Sequence, residues 1–346
     1  MKNSFNIFYS WQSDIPKNRN TIESAIVKAI KELKKIKQKE IELEINLDRD
    51  TKDNSGSPDI ADTIFMKILN SDIFICDVTI INNSLLEVDK KQRLTPNPNV
   101  LIELGYAIRH LGWERIICIN NIHYGKSEFL PFDIRNHRII SLNFNNHELK
   151  NDLKTVLKRA IAGITDNYDD IIEKWNANKI ASHDKGIYLK INEICSENFL
   201  KESVSLAVNS LHSNNYIYSK WDALIEFYDK TINWFLDKEI DSLFKQSLTT
   251  IDSFRMICYK DFNEKETNNM RLFDYFEAGF EITEEKRIEI LQSERTFAHK
   301  DAFSNETYKD ADIRIQKLQN ELSKNSIAVI ASYQAFIIKY KEKQLE

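Results

Sequence analysis

Along the first 145 positions the apolar residues come in short runs broken by polar, turn-forming stretches, whereas from about Leu149 they recur at helical spacing. Phe5 to Ser10 and Asp72 to Val78 are apolar enough to predict buried strands, and Arg115 to Ile119 and Ile139 to Leu142 add two more. Ile41 to Leu47 alternates apolar and acidic residues, the mark of a half-exposed edge strand. Between these runs, Ile22, Ala25, Ile26, Ala29, Ile30 and Leu33 predict a helix opened by Asn18 or Asn20. Ile60, Ala61, Ile64, Phe65 and Ile68 predict a second, starting at Ser57-Pro58-Asp59. Strands and helices in alternation predict an α/β fold with a parallel sheet covered on both faces. Right-handed crossovers make the flavodoxin-like order 2-1-3-4-5 its simplest topology.

The segment from Thr95 to Gly112 joins a stiff loop to a helix. Pro96 and Pro98 fix their own φ and keep Thr95 and Asn97 out of the helical region, so the helix begins near Asn99 with Asn97 or Asn99 as its cap. Val100, Leu104, Ala107, Ile108 and Leu111 form its apolar stripe, and Asn99, Glu103, Tyr106 and His110 the polar edge beside it. Gly112 reads as its stop. Glu103 stands among Leu101, Ile102 and Leu104, at the start of a helix that follows a strand ending in Asp77. That places it at the carboxyl edge of the sheet, where open α/β sheets bind ligands.

All five prolines lie within the first 131 residues. The uninterrupted remainder predicts long helices, six or so in a bundle, with stripes such as Leu153, Val156, Leu157, Ala160 and Ile161, or Trp221, Leu224, Ile225, Tyr228, Ile232 and Phe235. The domains so read are residues 1–145, α/β, and 165–346, an all-α bundle.

Composition narrows the class. The 346 residues are 42% hydrophobic and 29% charged, as in a globular chain of about two domains. No apolar run reaches the roughly 18 residues that cross a bilayer, and no signal-peptide pattern opens the chain, so a cytoplasmic location without membrane attachment is expected. Cys76, Cys118, Cys195 and Cys258 are too scattered for a disulfide framework or zinc cluster, and the seven histidines contain no His-x-x-x-His pair; no metal is expected. Residues 1–150 hold 21 basic against 20 acidic side chains and the rest is net acidic, which gives no strong nucleic-acid signal. The absence of Gly-x-Gly-x-x-Gly and of a Walker lysine loop disfavours dinucleotide-fold dehydrogenases and P-loop NTPases.

Four loops converge on the carboxyl edge in this reading. They carry Tyr9-Ser10-Trp11-Gln12, Asp48-Arg49-Asp50, Asp77-Val78-Thr79 and Asn97 to Glu103. The segment Phe8 to Asp14 with Asn18-Arg19, then Asp48-Arg49-Asp50, Gly56 to Ile60 and Pro98 to Tyr106, resembles the bacterial TIR-like, nucleotide-binding family found in anti-phage defence systems. The resemblance covers about residues 4–143, and Asn99-Val-x-x-Glu103-Leu-Gly-Tyr106 is its most specific part. It implies an NAD⁺ glycohydrolase with Glu103 as the catalytic residue, NAD⁺ as substrate instead of cofactor, and an active site completed by self-association.

The chemistry suits those residues. Nicotinamide leaves NAD⁺ as a neutral molecule, so no general acid is required, and an oxocarbenium-like ribosyl cation develops. One carboxylate can accept ribose hydroxyls and stabilise that charge. Trp11 or Tyr9 would stack on a ring of the dinucleotide, Arg19 or Arg49 would hold the pyrophosphate, and Ser10, Gln12, Asp50, Asp77, Asn99 and Tyr106 would line the site. Plainer readings stand beside these: Trp11 as a loop anchor, Arg19 paired with Glu23, Asp77 capping a local turn.

Glu103-Leu-Gly-Tyr-Ala107 also matches the Glu-x-Gly-x-Ala pattern of nucleoside 2-deoxyribosyltransferases, where the Glu is a nucleophile. A non-catalytic nucleotide-binding or assembly module is the third reading. In the helical half, Arg295 and His299, expected one turn apart on a helix, weakly resemble the Arg-to-His pair of HEPN ribonucleases at a spacing shorter than usual there. Their plainer reading is structural. A protein or nucleotide signal acting on the helical domain is the expected trigger.

Overall fold

The computed structural model describes residues 2–37, 40–45, 60–83, 93–143, 150–264, 282–298, 303 and 306–345. The chain forms two compact units, Met1–Asn176 and Ala177–Glu346.

The first unit is α/β. Strands β1 (Ser4–Ser10), β2 (Glu40–Ile45), β3 (Ile73–Asp77), β4 (Ile116–Asn121) and β5 (Ile139–Leu142) form a sheet in the order β2-β1-β3-β4-β5, with every neighbouring pair parallel. Side chains alternate between its faces. Phe5, Ile7, Tyr9, Ile73, Ile75, Ile117 and Ile119 pack under α1 (Pro16–Lys37) and α5 (Lys150–Asp166). Phe8, Phe74, Cys76 and Cys118 pack under α2 (Ile60–Leu69), α3 (Pro98–Leu111) and the single turn α4 (Phe132–Arg135). Both faces being covered, the central strands are buried along their whole length, which is why they read as apolar runs instead of alternating ones. Cys76 and Cys118 are register partners on β3 and β4, their sulfurs 3.6 Å apart; all four cysteines are free and buried.

Two boundaries differ from the sequence reading. Helix α1 begins at Pro16, not at Asn18 or Asn20, because proline already has helical φ and needs no donor at the first position. Helix α5 is no part of a bundle: Leu153, Leu157 and Ile161 are fully buried against α1 and the sheet, and Glu32 of α1 takes Lys154 and Lys158 at 2.7 Å each. The first unit therefore extends to residue 176, past the expected limit at 145, and the second begins at 177, not 165. The division falls inside α6 (Tyr168–Ile194).

The second unit is mostly helical: α7 (Glu197–Ser210), α8 (Asn215–Asp229), α9 (Lys238–Asp261), α10 (Glu284–Ser293) and α11 (Tyr308–Lys343) follow the end of α6. Its core is aromatic, with Phe244 and Phe336 joining α9 to α11 at 4.7 Å between ring centres. It is not all-α. Three short strands, β6 (His212–Asn214), β7 (Phe262–Glu264) and β8 (Arg295–Ala298), form an antiparallel sheet in the order β6-β8-β7. Arg295 thus lies on a strand and not one helical turn before His299, and His299 falls outside the described residues. Among the described residues no helix is long and apolar enough to cross a membrane.

Candidate active site

The carboxyl ends of β1, β3 and β4 are tied together by a buried polar network. Asp77, the last residue of β3, is fully buried, and Asn18 in the first turn of α1 donates to its Oδ2 at 2.7 Å. The Thr79 amide donates to the other oxygen at 3.0 Å. Asn18 also donates to Thr79 Oγ1 at 3.0 Å and accepts from Asn121 Nδ2 at 2.8 Å, while the Asn121 amide donates to Thr79 Oγ1 at 2.9 Å. Gln12 Nε2 donates to the Thr79 carbonyl at 3.1 Å. Burial raises the Asp77 carboxyl above the usual carboxylate range, and its hydrogen bonds to Thr79 and Asn18 pull it part of the way back. Asp77 therefore anchors the loops beneath the site, its acceptors occupied by neighbours.

Above this network sits α3. Asn97 caps it, accepting from the Asn99 amide at 2.8 Å, with Pro98 in the first turn. The Asn97 side chain also donates to Asp14 Oδ2 at 2.7 Å, clasping the β1–α1 loop to the helix start. At the other end, Gly112 takes φ 77° and returns its N–H to the Ile108 carbonyl. The stripe of Val100, Leu104, Ala107 and Leu111 is buried, and Glu103 is buried with it, at 8% exposure. The polar edge expected for this helix is thus turned partly inward.

Glu103 lies against Ser10, the last residue of β1. Phe8 faces α3, so strand alternation turns Ser10 the same way. Desolvation pushes the Glu103 carboxyl above its ordinary range, and the Ser10 hydroxyl pulls it down. Neither Glu103 Oε2 nor Ser10 Oγ closes a well-directed hydrogen bond, although both atoms are buried. Gln12 Oε1 is in the same condition. Among the described residues, these three buried polar atoms at the ends of β1 and the start of α3 thus have hydrogen-bonding capacity left unused.

The remaining sequence candidates divide. Trp11 is half-buried, and the Arg19 guanidinium stacks over its ring at 3.4 Å while Glu23 lies 3.8 Å from Arg19 Nε. Arg19 is thereby held against Glu23, as the plainer reading had it, and also against Trp11, which that reading did not foresee. Tyr9 is fully buried on the opposite face of the sheet, among α1 and α5, so it is a core residue and cannot stack on a ligand beside Glu103. Tyr106 packs between Phe65 of α2, at 4.5 Å, and His110, at 4.3 Å, and so belongs to the α2–α3 contact. Asn99 is exposed one turn before Glu103. Asp50, with Asp48 and Arg49, falls outside the described residues. Asn121 and the bridging role of Asn18 were missed; the one signal was two asparagines closing an apolar strand.

A groove of about 570 Å³ also flanks α3, lined by Leu101, Leu104, Ile108, Trp113, Phe132 and His137. Glu103 does not line it, and His137 is stacked on Trp113 at 3.6 Å. No protein-family model matches the chain, and comparison with curated proteins yields no match.

Proposed function

We propose that this protein is a TIR-like NAD⁺ glycohydrolase, with Glu103 as its catalytic residue, acting as a bacterial defence effector switched on by self-association. The observation that carries the reading is the Glu103 carboxylate: buried at the carboxyl edge of a parallel sheet, with one oxygen unpartnered and no counter-ion among the groups that set its pKa. A lone desolvated carboxylate is suited to a cation that forms only during reaction, since its field is little screened. Asp77 is committed to Asn18 and Thr79, so among the described residues the site offers one acting carboxylate and not an acid–base pair. That suffices when the leaving group is nicotinamide, which departs neutral as the C–N bond breaks. Water, or a nucleophile within ADP-ribose itself, then takes up the ribosyl cation and loses a proton. Trp11, stacked on Arg19 at the mouth of the β1–α1 loop, is the residue to meet an aromatic ring of the substrate. The helical unit, in this reading, receives the signal that triggers assembly.

The test is nicotinamide release from NAD⁺ by the full chain over a range of protein concentrations. Release that climbs more steeply than linearly, and falls by about 10²–10³-fold in Glu103→Gln, is the expected result. Turnover that survives the substitution would sink the assignment. Base exchange with a deoxynucleoside, and no NAD⁺ loss, would identify a deoxyribosyltransferase; ligand binding with neither reaction would identify a signalling module.

A further inference from the structure

We infer that Gln12 and Asn120 are a pair of substrate-binding carboxamides whose oxygens select a ligand by its hydrogen-bond donors, the sugar hydroxyls and amide N–H of a nucleoside. The inference rests on the reading of this sheet edge as a nucleotide site. The parallel register sets Ser10, Cys76 and Cys118 in one row across β1, β3 and β4. Gln12 and Asn120 each stand two residues past that row, on the segments that flank β3. Strand alternation turns Asn120 to the α3 face along with Cys118. Neither amide is free to turn over. Gln12 Nε2 donates to the Thr79 carbonyl at 3.1 Å, and Asn120 Nδ2 donates to the Gly125 carbonyl and to Ser127 Oγ at 3.0 Å each. A carbonyl can only accept, so the nitrogen faces it in both cases and the oxygen is turned away. The Gly125 carbonyl is itself fixed, because that residue is pressed onto Ile80, where an added Cβ would come within 2.5 Å of Cδ1.

The oxygens tell the other half. Gln12 and Asn120 are 1% and 0% exposed, and among the described residues neither Gln12 Oε1 nor Asn120 Oδ1 has a partner. The carboxamides on the α1 face differ: Asn18 is bonded through both ends, to Asp77, Thr79 and Asn121, and Asn121 Oδ1 accepts from the His123 amide at 3.2 Å. A buried carbonyl without a donor costs free energy that a donor from outside returns. With Glu103 Oε2, the described residues present acceptors from β1, β4 and α3 at this edge. Such a surface suits hydroxyl and amide N–H groups and disfavours phosphate, which only accepts. It therefore takes the nucleoside part of a dinucleotide, and the pyrophosphate lies outside it.

The test is equilibrium binding to the full chain carrying Glu103→Gln, so that the dinucleotide is held without turnover. The probes are NAD⁺, its analogue with a carboxylate in place of the nicotinamide carboxamide, and its analogue lacking the 2′-hydroxyl of the nicotinamide ribose. The first analogue removes the amide donor and the second a sugar donor, so together they tell which source is read. At least one is expected to bind about 5- to 150-fold more weakly than NAD⁺. Adding Gln12→Met or Asn120→Leu is expected to bring that ratio toward one. Lost stability alone would weaken all three probes alike and leave the ratio unchanged. Equal binding of the three probes, or a ratio that survives both substitutions, would overturn the inference. If wild type releases no nicotinamide from NAD⁺ while the ratios behave as expected, the hydrolase reading fails and the inference stands; binding of none of the probes would overturn both.

Discussion

Glu103 illustrates at the level of one residue how a buried carboxyl strains the fold that carries it. Its carboxyl has a folded pKa raised by desolvation, so the native state holds the proton more tightly than the unfolded chain does. The sign follows: the associated stability is fully present below the unfolded value, about 4.3, and is lost as pH rises through the higher folded value. Glu103→Gln, neutral and nearly isosteric, is expected to unfold at higher temperature than wild type at pH 7 while losing activity. A lower Tm for that variant would contradict the burial argument. Asn18 makes the opposite case. Asn18→Ala strips partners from Asp77, Thr79 and Asn121 together, and is expected to cost about 1–3 kcal/mol in urea unfolding because those groups stay buried. The place of Glu103 on α3 was legible because helical periodicity is a local pattern, but its burial was not, since that pattern set it on the polar edge. The Asn18 hub was not, since it joins residues 59 and 103 positions apart, a separation over which composition and spacing are silent.

Among the elements, α3 is the one both ends of which are written in sequence. The prolines, Asn97 and Gly112 each did what their backbone chemistry requires. Gly112→Ala is expected to destabilise by about 1–3 kcal/mol, since its φ of 77° and ψ of 158° belong almost to glycine alone. An added Cβ would also meet the Trp175 ring at 2.8 Å. Thermal unfolding checks this, and an unchanged Tm would mean that the turn relaxes freely. The strand β8 shows what escapes such reading. Four residues, Arg-Thr-Phe-Ala, alternate exposed and buried positions between β6 and β7, but a run this short within helical surroundings carries too few periods to separate strand from helix.

For the whole molecule, the consequential correction is the division at residue 176. The change from short apolar runs to helical spacing near Leu149 is real, yet it marks a change of element and not of unit, because α5 closes the first unit's own core. Leu153, Leu157 and Ile161 are fully buried there, at about 1.5–3 kcal/mol each. Their sum is comparable to the whole stability of an ordinary domain, about 5–15 kcal/mol. A fragment of residues 1–176 is therefore expected to unfold cooperatively in urea and one of residues 1–149 not to; equal transitions would show that α5 is dispensable. What the sequence revealed at this scale was the class of each part, since buried parallel strands and uninterrupted helices have unlike periodicities. It did not reveal where one part ends, which depends on what α5 covers.

The clasp between Asn97 and Asp14 has a reciprocal consequence. One side chain both seals the first turn of α3 and ties down the loop that bears Trp11 and Gln12, so whatever steadies one steadies the other by the same free energy. A molecule that settles on the loop should slow amide exchange at Val100 to Glu103, and Asn97→Ala should loosen that molecule's grip as well as fray the helix, by about 0.5–2 kcal/mol.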